Sequence, residues 1–173
     1  MSEEMTVEEM DLAMKEFKRR IDDDGLAVVG SMGSREEPTV VYTLGLDDIN
    51  WPELVVIGDL PPPAMELFIH KQIAVWREAG MVASYGVQVL PLPELGQPEY
   101  KVHTRLVSPI DACMRYTGWI ETYHKSSSVK VAQIIFPDAN GNFPMDEAYD
   151  QGIRQPLIAP VKYDEEPASD TQH

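Results

Sequence analysis

Three strand-like apolar segments, residues 26–32, 39–46 and 54–60, follow one another with short connections. A parallel pair of strands needs a crossover of about a dozen or more residues, so these three are expected to be antiparallel neighbours. The turns between them are Arg35-Glu36-Glu37-Pro38 and Asp47-Asp48-Ile49-Asn50. Val55, Val56 and Ile57 form a nearly continuous apolar run, which predicts a central strand covered on both faces.

The flanking segments read as helices. Thr6-Val7-Glu8-Glu9 has the spacing of a capping box, in which a threonine hydroxyl and a glutamate three residues on satisfy each other's amides. Val7, Met10, Met14, Phe17 and Ile21 then mark one apolar helical stripe, closed by Asp22-Asp23-Asp24 and Gly25. Pro61-Pro62-Pro63 breaks the sheet and prepares a second helix over 64–79, with Met65, Ile69, Ile73 and Trp76 facing a core. Strands are expected over 81–90 and 100–107, separated by a Pro-rich loop at 91–98. Ser108-Pro109-Ile110-Asp111 opens a third helix running to about residue 123. Ser126-Ser127-Ser128 is a linker, and residues 131–136 form the last strong strand.

The order α-β-β-β-α-β-β-α-β lacks the regular alternation of a doubly wound parallel sheet. The predicted fold class is α+β, with a mainly antiparallel curved sheet or partly open barrel and about three helices packed on it. A chain of 173 residues suits one domain, assigned to residues 1–163, which buries roughly 70% of its unfolded surface. Residues 164–173 contain one apolar residue, Ala168, and are expected to be an acidic disordered tail.

Net charge is −15. Residues 1–25 carry nine acids against four bases, and residues 164–173 carry four acids and no base, so most of the excess lies at two ends. Such a surface repels phosphate, which argues against direct nucleic-acid or anionic-membrane binding. The apolar runs fall short of the ~20 residues needed to span a bilayer. An acidic first segment without a signal-peptide pattern, and one cysteine, Cys113, point to a reducing cytoplasm.

Pro137-Asp138-Ala139-Asn140-Gly141-Asn142-Phe143-Pro144 follows the last strand as a tight turn bracketed by prolines. Together with Gly25, Tyr42-Thr43-Leu44-Gly45-Leu46, Pro52-Glu53-Leu54, Gln133-Ile134-Ile135-Phe136, Tyr149-Asp150 and Gln155-Pro156-Leu157, it resembles a bacterial and phage family catalogued as domain of unknown function 4262. The resemblance covers roughly residues 15–158 and implies a fold neighbourhood without an activity. Many members carry Trp after the Phe-Pro pair where this chain has Met145. If that aromatic closes a pocket, the pocket here is altered. The opening strands, through residues 27–29, 39–45 and 52–57, are also similar to the start of flavin-reductase-type split barrels. That second resemblance implies a flavin, a nucleotide or another planar ligand.

Candidate site residues fall into several groups. Tyr42, Thr43 and Glu53 flank the early turn, and a desolvated Glu53 has the chemistry of a general base. Its structural alternative, capping amides of the Trp51-Pro52 turn, is preferred. Lys101, His103 and Arg105 alternate on one strand and share one face, suited to an anionic ligand. An exposed sheet face explains them too and is preferred. Asp138 reads first as an Asx-turn residue, and second as a partner of Asp150 around a hard cation. Phe143 completes the ligand-binding candidates; Glu53 and His103 are the catalytic ones. No metal motif occurs, and Cys113 is read as an inert half-buried thiol in preference to a nucleophile activated by His103 or His124. Trp51, Trp76 and Trp119 are assigned to core or interface.

The leading expectation is a non-enzymatic protein that holds a small molecule or a protein partner, with homodimerisation through the N-terminal helix left open. The alternatives are an enzyme with a flavin-like or nucleotide-like ligand in a split-barrel pocket, and an acidic DNA mimic or anti-defence protein that binds a basic partner.

Overall fold

The computed structural model describes residues 4–126 and 129–161. The expected tail at 164–173, and Ser127 and Ser128 of the expected linker, lie outside the described residues. The elements are α1 (Val7–Asp24), β1 (Ala27–Ser31), β2 (Thr39–Leu44), β3 (Glu53–Gly58), α2 (Pro62–Glu78), β4 (Gly86–Leu92), β5 (Gln97–Val107), α3 (Pro109–Arg115), α4 (Gly118–His124) and β6 (Val131–Ile135). Short 3-10 turns follow β2 (Leu46–Ile49) and β4 (Pro93–Leu95).

The six strands form one open sheet in the order β1-β2-β3-β6-β5-β4. Every pairing is antiparallel except β3 with β6, where Glu53 lies opposite Val131. The described residues are thus α+β, with a mixed, mostly antiparallel sheet and four helices. β3 and β6 are buried along their whole length, which accounts for the unbroken apolar run at residues 55–57.

Each face of the sheet carries its own core. On one face α2 buries Met65, Phe68, Ile69, Ile73 and Trp76 against Val41, Leu54, Val56, Leu90, Val102 and Ile134. At about 1.5–3 kcal/mol for each large side chain removed from water, α2 is the principal helical anchor of the fold. Residues of α3 and α4, and the returning segment at Ile158, cover Tyr42, Leu44, Val55, Val107 and Val131 on the opposite face. α1 has no buried residue. It meets this second core through Phe17 and Ile21, and Phe17 packs edge-to-face on Trp119 with ring centroids 5.0 Å apart.

The capping box of α1 is present: Thr6 Oγ1 accepts from Glu9 N–H at 3.1 Å, and Glu9 Oε2 accepts from Thr6 N–H at 2.7 Å. Gly25 closes the helix in the left-handed region at φ 88°. Three sequence expectations shift. β5 begins at Gln97, inside the loop expected at 91–98. The single helix over 109–123 is divided, because Thr117 and Gly118 are poor helix formers and the Tyr42 hydroxyl accepts the Trp119 N–H at 3.3 Å, starting a new helix there. The strand expected over 81–90 begins later and runs through Pro91, which its edge position tolerates. Met81, at φ 65°, still belongs to the turn after α2.

Candidate functional site

Glu53 opens β3, and its side chain is fully buried. Burial of a carboxylate is costly unless donors surround it, and here four do. Oε1 accepts from Thr43 Oγ1 at 2.9 Å and from Leu46 N–H at 3.0 Å. Oε2 accepts from Gly45 N–H at 2.8 Å and lies 2.7 Å from His124 Nε2. Thr43, Gly45 and Leu46 already donate to these two oxygens, and the position left to His124 is that of a donor through Nε2. Thr43 Oγ1 also accepts from Leu54 N–H at 2.9 Å, which ties β2 to β3 beneath the carboxylate. Gly45, at φ 118°, provides the left-handed turn that aims the Gly45 and Leu46 amides inward.

Glu53 is therefore a cap, but for amides at the end of β2, not those of the Trp51-Pro52 turn. The β2 chain bends at Gly45 directly beside the start of β3, which makes these the nearest orphan amides. His124, the last residue of α4, entered the sequence reading only as a conditional activator of Cys113, not as a partner of Glu53. Seventy-one residues separate it from Glu53, and no local pattern announces the pair.

The hydrogen bond that His124 donates to Glu53 raises its pKa above the ordinary histidine value; burial opposes this, and the charges of Glu53, Asp47 and Asp48 reinforce it. The side chain is 9% exposed, and Asp47 Oδ2 stands 4.0 Å from Nδ1. That is too long for a hydrogen bond and short enough for one water to bridge. His124 lines a cleft of about 480 Å³ with Met14, Lys15, Lys18, Asp48, Tyr123 and Lys125. Burial, then the carboxylates of Asp48, Asp22 and Glu53, push the Tyr123 phenol up. Lys125 holds a left-handed backbone, φ 56°, at the cleft rim.

The remaining sequence candidates are distributed elsewhere. Tyr42 and Thr43 alternate along β2, so the Tyr42 phenol enters the second core under α4 while Thr43 serves Glu53. Burial raises the Tyr42 phenol beyond its normal range. Lys101, His103 and Arg105 do alternate along β5, but each has a different setting. Lys101 lines a second cleft, about 410 Å³, with Tyr100, Asp138 and Phe143. His103 packs edge-to-face on Phe143 at 5.9 Å, and its pKa is lowered by burial and by Arg105 against the pull of Asp146. Arg105 Nη2 donates to the Ile158 carbonyl at 3.0 Å, while its buried Nε has no partner. Strand β6 stands between β3 and β5, so Tyr42, Thr43 and Glu53 do not share a pocket with the β5 residues.

Asp138 is an Asx-turn residue extended into a loop brace. Oδ1 accepts from Asn140 and Asn142 N–H and Oδ2 from Asp150 N–H, all at 2.9 Å. Burial works against its ionisation, yet these amides hold its carboxyl below the usual range. Asp150 offers it a backbone amide, while its own Oδ1 accepts from Gly152 N–H. Among the described residues no group of three or more His, Cys, Asp or Glu side chains could hold a metal ion. Cys113 is half-buried and accepts a long contact from Thr117 Oγ1 at 3.8 Å. The Trp51 and Trp76 rings meet edge-to-face at 5.5 Å, and their N–H groups donate to the Met81 and Ser84 carbonyls.

A family model described as Domain of unknown function (DUF4262) matches residues 20–150 of the 173. The chain belongs to that family. No curated protein and no solved structure matches it. The DUF4262 match spans Thr43, Glu53 and His124 as well as Asp138 and its turn. Among the described residues no helix is long and apolar enough to cross a membrane.

Proposed function

We propose that this DUF4262 protein is a non-enzymatic small-ligand-binding protein, and that its ligand lodges beside His124 in the cleft between α1 and α4. The observation that carries the placement of the ligand is that a saturated Glu53 holds His124 by one nitrogen beside the cleft. A general base needs a free lone pair within reach of substrate. Glu53 has given its acceptor positions to Thr43, Gly45, Leu46 and His124, so it positions His124 and does not meet a ligand itself. A histidine fixed on one nitrogen and presented to a cleft on its other side is a pre-organised polar contact, and pre-organisation lowers the entropic cost of binding.

The split-barrel reading receives less support, since the sheet is open and α2 covers one face of it. The acidic-mimic reading rests largely on the chain ends. In α1, Glu16 and Asp23 are already paired with Arg19 and Arg20.

A fragment screen by protein-observed NMR on the full chain tests the proposal. Fragments that perturb His124, Tyr123 and Lys125 together, and lose their effect in His124→Gln, are the expected result. Hits confined to the Lys101–Phe143 cleft, or a spectrum that no fragment alters, would overturn it.

A further inference from the structure

The charges around the His124 cleft narrow the class of ligand, given the binding reading above. On a chain of net charge −15 the basic side chains are scarce. Those of α1 divide between two faces. Arg19 and Arg20 bond to Glu16, and Arg19 also to Asp23, on one side. Lys15 and Lys18, one turn apart, line the cleft with Lys125 from the end of α4. Among the described residues none of these three lysines takes part in an ion pair, whereas Lys71 is paired with Glu94 at 3.0 Å. Three lysines without an ion-pair partner thus line one opening together with a histidine whose side chain is nine-tenths buried.

Among the described residues the same histidine is bonded on one side only. Its Nε2 proton is committed to Glu53 at 2.7 Å, which turns Nδ1 toward Asp47, 4.0 Å away, beyond hydrogen-bond reach. Asp48 is the acidic member of the lining, and Asp47 stands beside it. Glu53 balances the imidazole, and Asp47, Asp48 and the nearby Asp22 stand against three lysines that are free of ion pairs. The cationic contacts therefore stay available, while the Nδ1 side of the ring has no acceptor at bonding distance among the described residues. A compact ammonium is a point-charge partner for phosphate or carboxylate, and a buried imidazolium N–H adds a directional, charge-assisted bond.

We infer that the cleft binds a compact oxyanion, a phosphate or carboxylate group, with His124 Nδ1–H at its floor and Lys15, Lys18 and Lys125 around its mouth. The oxyanion is part of a small ligand, because a long polyanion would meet the acidic residues of α1 that adjoin the cleft.

Inorganic phosphate and succinate are the probes, added to the full chain at constant ionic strength set with chloride. His124 and Tyr123 signals are followed by NMR, and affinity by calorimetry. Saturable shifts with either anion are expected, with binding weakened by about tenfold or more in Lys15→Ala/Lys18→Ala, since each lost charge-assisted contact approaches that factor. Alanine is the best helix former, so this variant retains α1. Lys130→Ala, on an exposed lysine outside the cleft, is expected to bind as the parent does. Saturation by phosphate alone assigns a phosphate site, and by succinate alone a carboxylate site; either supports the inference. Equal binding by parent and double variant, or shifts reproduced by chloride, overturns it. Uncharged fragments that perturb His124 while both anions fail also overturn it, yet leave the ligand-binding reading standing. Silence from anions and fragments alike removes both.

Discussion

Replacing Glu53 by Gln keeps the shape of the side chain and changes one oxygen into a donor. Each Glu53 oxygen accepts one backbone amide, Leu46 at Oε1 and Gly45 at Oε2. Whichever position the new NH2 takes, it confronts one of these N–H groups and leaves it without an acceptor. A buried orphaned donor costs about 1–3 kcal/mol. The second effect is electrostatic. The His124 imidazolium loses a counter-charge 2.7 Å away, and removing one partner of a buried ion pair costs about 3–5 kcal/mol. The sign follows from the raised His124 pKa. Stability from the pair is fully present below the unfolded histidine value of about 6.5, and is lost as pH rises through the higher folded value. Both costs act at about pH 6, so Glu53→Gln is expected to lose about 4–8 kcal/mol there. The loss should shrink toward about 1–3 kcal/mol at alkaline pH, where His124 is neutral in both proteins. Urea unfolding across a pH series measures this, with unchanged m-values to show that the same surface is exposed. A loss below about 1 kcal/mol, or one that does not vary with pH, would refute the reasoning.

Three further outcomes are expected. Asp138→Asn should loosen the loop between residues 138 and 150, seen as faster proteolysis there and a lower Tm, because three backbone amides lose their ionised acceptor. With its pKa depressed, the parent's Asp138 contribution persists above the ordinary carboxylate range and fades only as pH falls through the lower folded value. Lys125→Gly relieves a left-handed lysine, φ 56°, and should raise stability by up to about 1 kcal/mol in urea unfolding while weakening oxyanion binding. Gly58→Ala places a methyl 2.6 Å from the Phe136 ring and 3.3 Å from the Arg154 carbonyl, and should cost about 1–3 kcal/mol by thermal unfolding.

Local chemistry was legible in the sequence wherever one segment determines it. The capping box at Thr6 and Glu9, the Gly25 terminator, the antiparallel run from β1 to β3 and the Asx turn at Asp138 all rest on residues a few positions apart. The insertion of β6 between β3 and β5 was not legible, because a parallel partner arrives only after the intervening helices and strands. Nor was the break at Thr117, which depends on the Tyr42 hydroxyl meeting the Trp119 amide across 77 residues. The site shows the same division. Glu53 and Thr43 drew notice through the turn they flank, but the ring that makes Glu53 meaningful comes from the far end of α4. Lys101, His103 and Arg105 alternated as expected, and the returning chain at Phe143 and Ile158 then gave each a separate neighbour.

The most direct test of the Glu53–His124 arrangement is a pH titration of the histidine side-chain nitrogens by NMR, on the parent and on Glu53→Gln. His124 is expected to titrate above the ordinary histidine value and His103 below it, with the His124 elevation abolished by the substitution. A His124 that titrates at or below the ordinary value in the parent, or is unmoved by Glu53→Gln, would contradict the account.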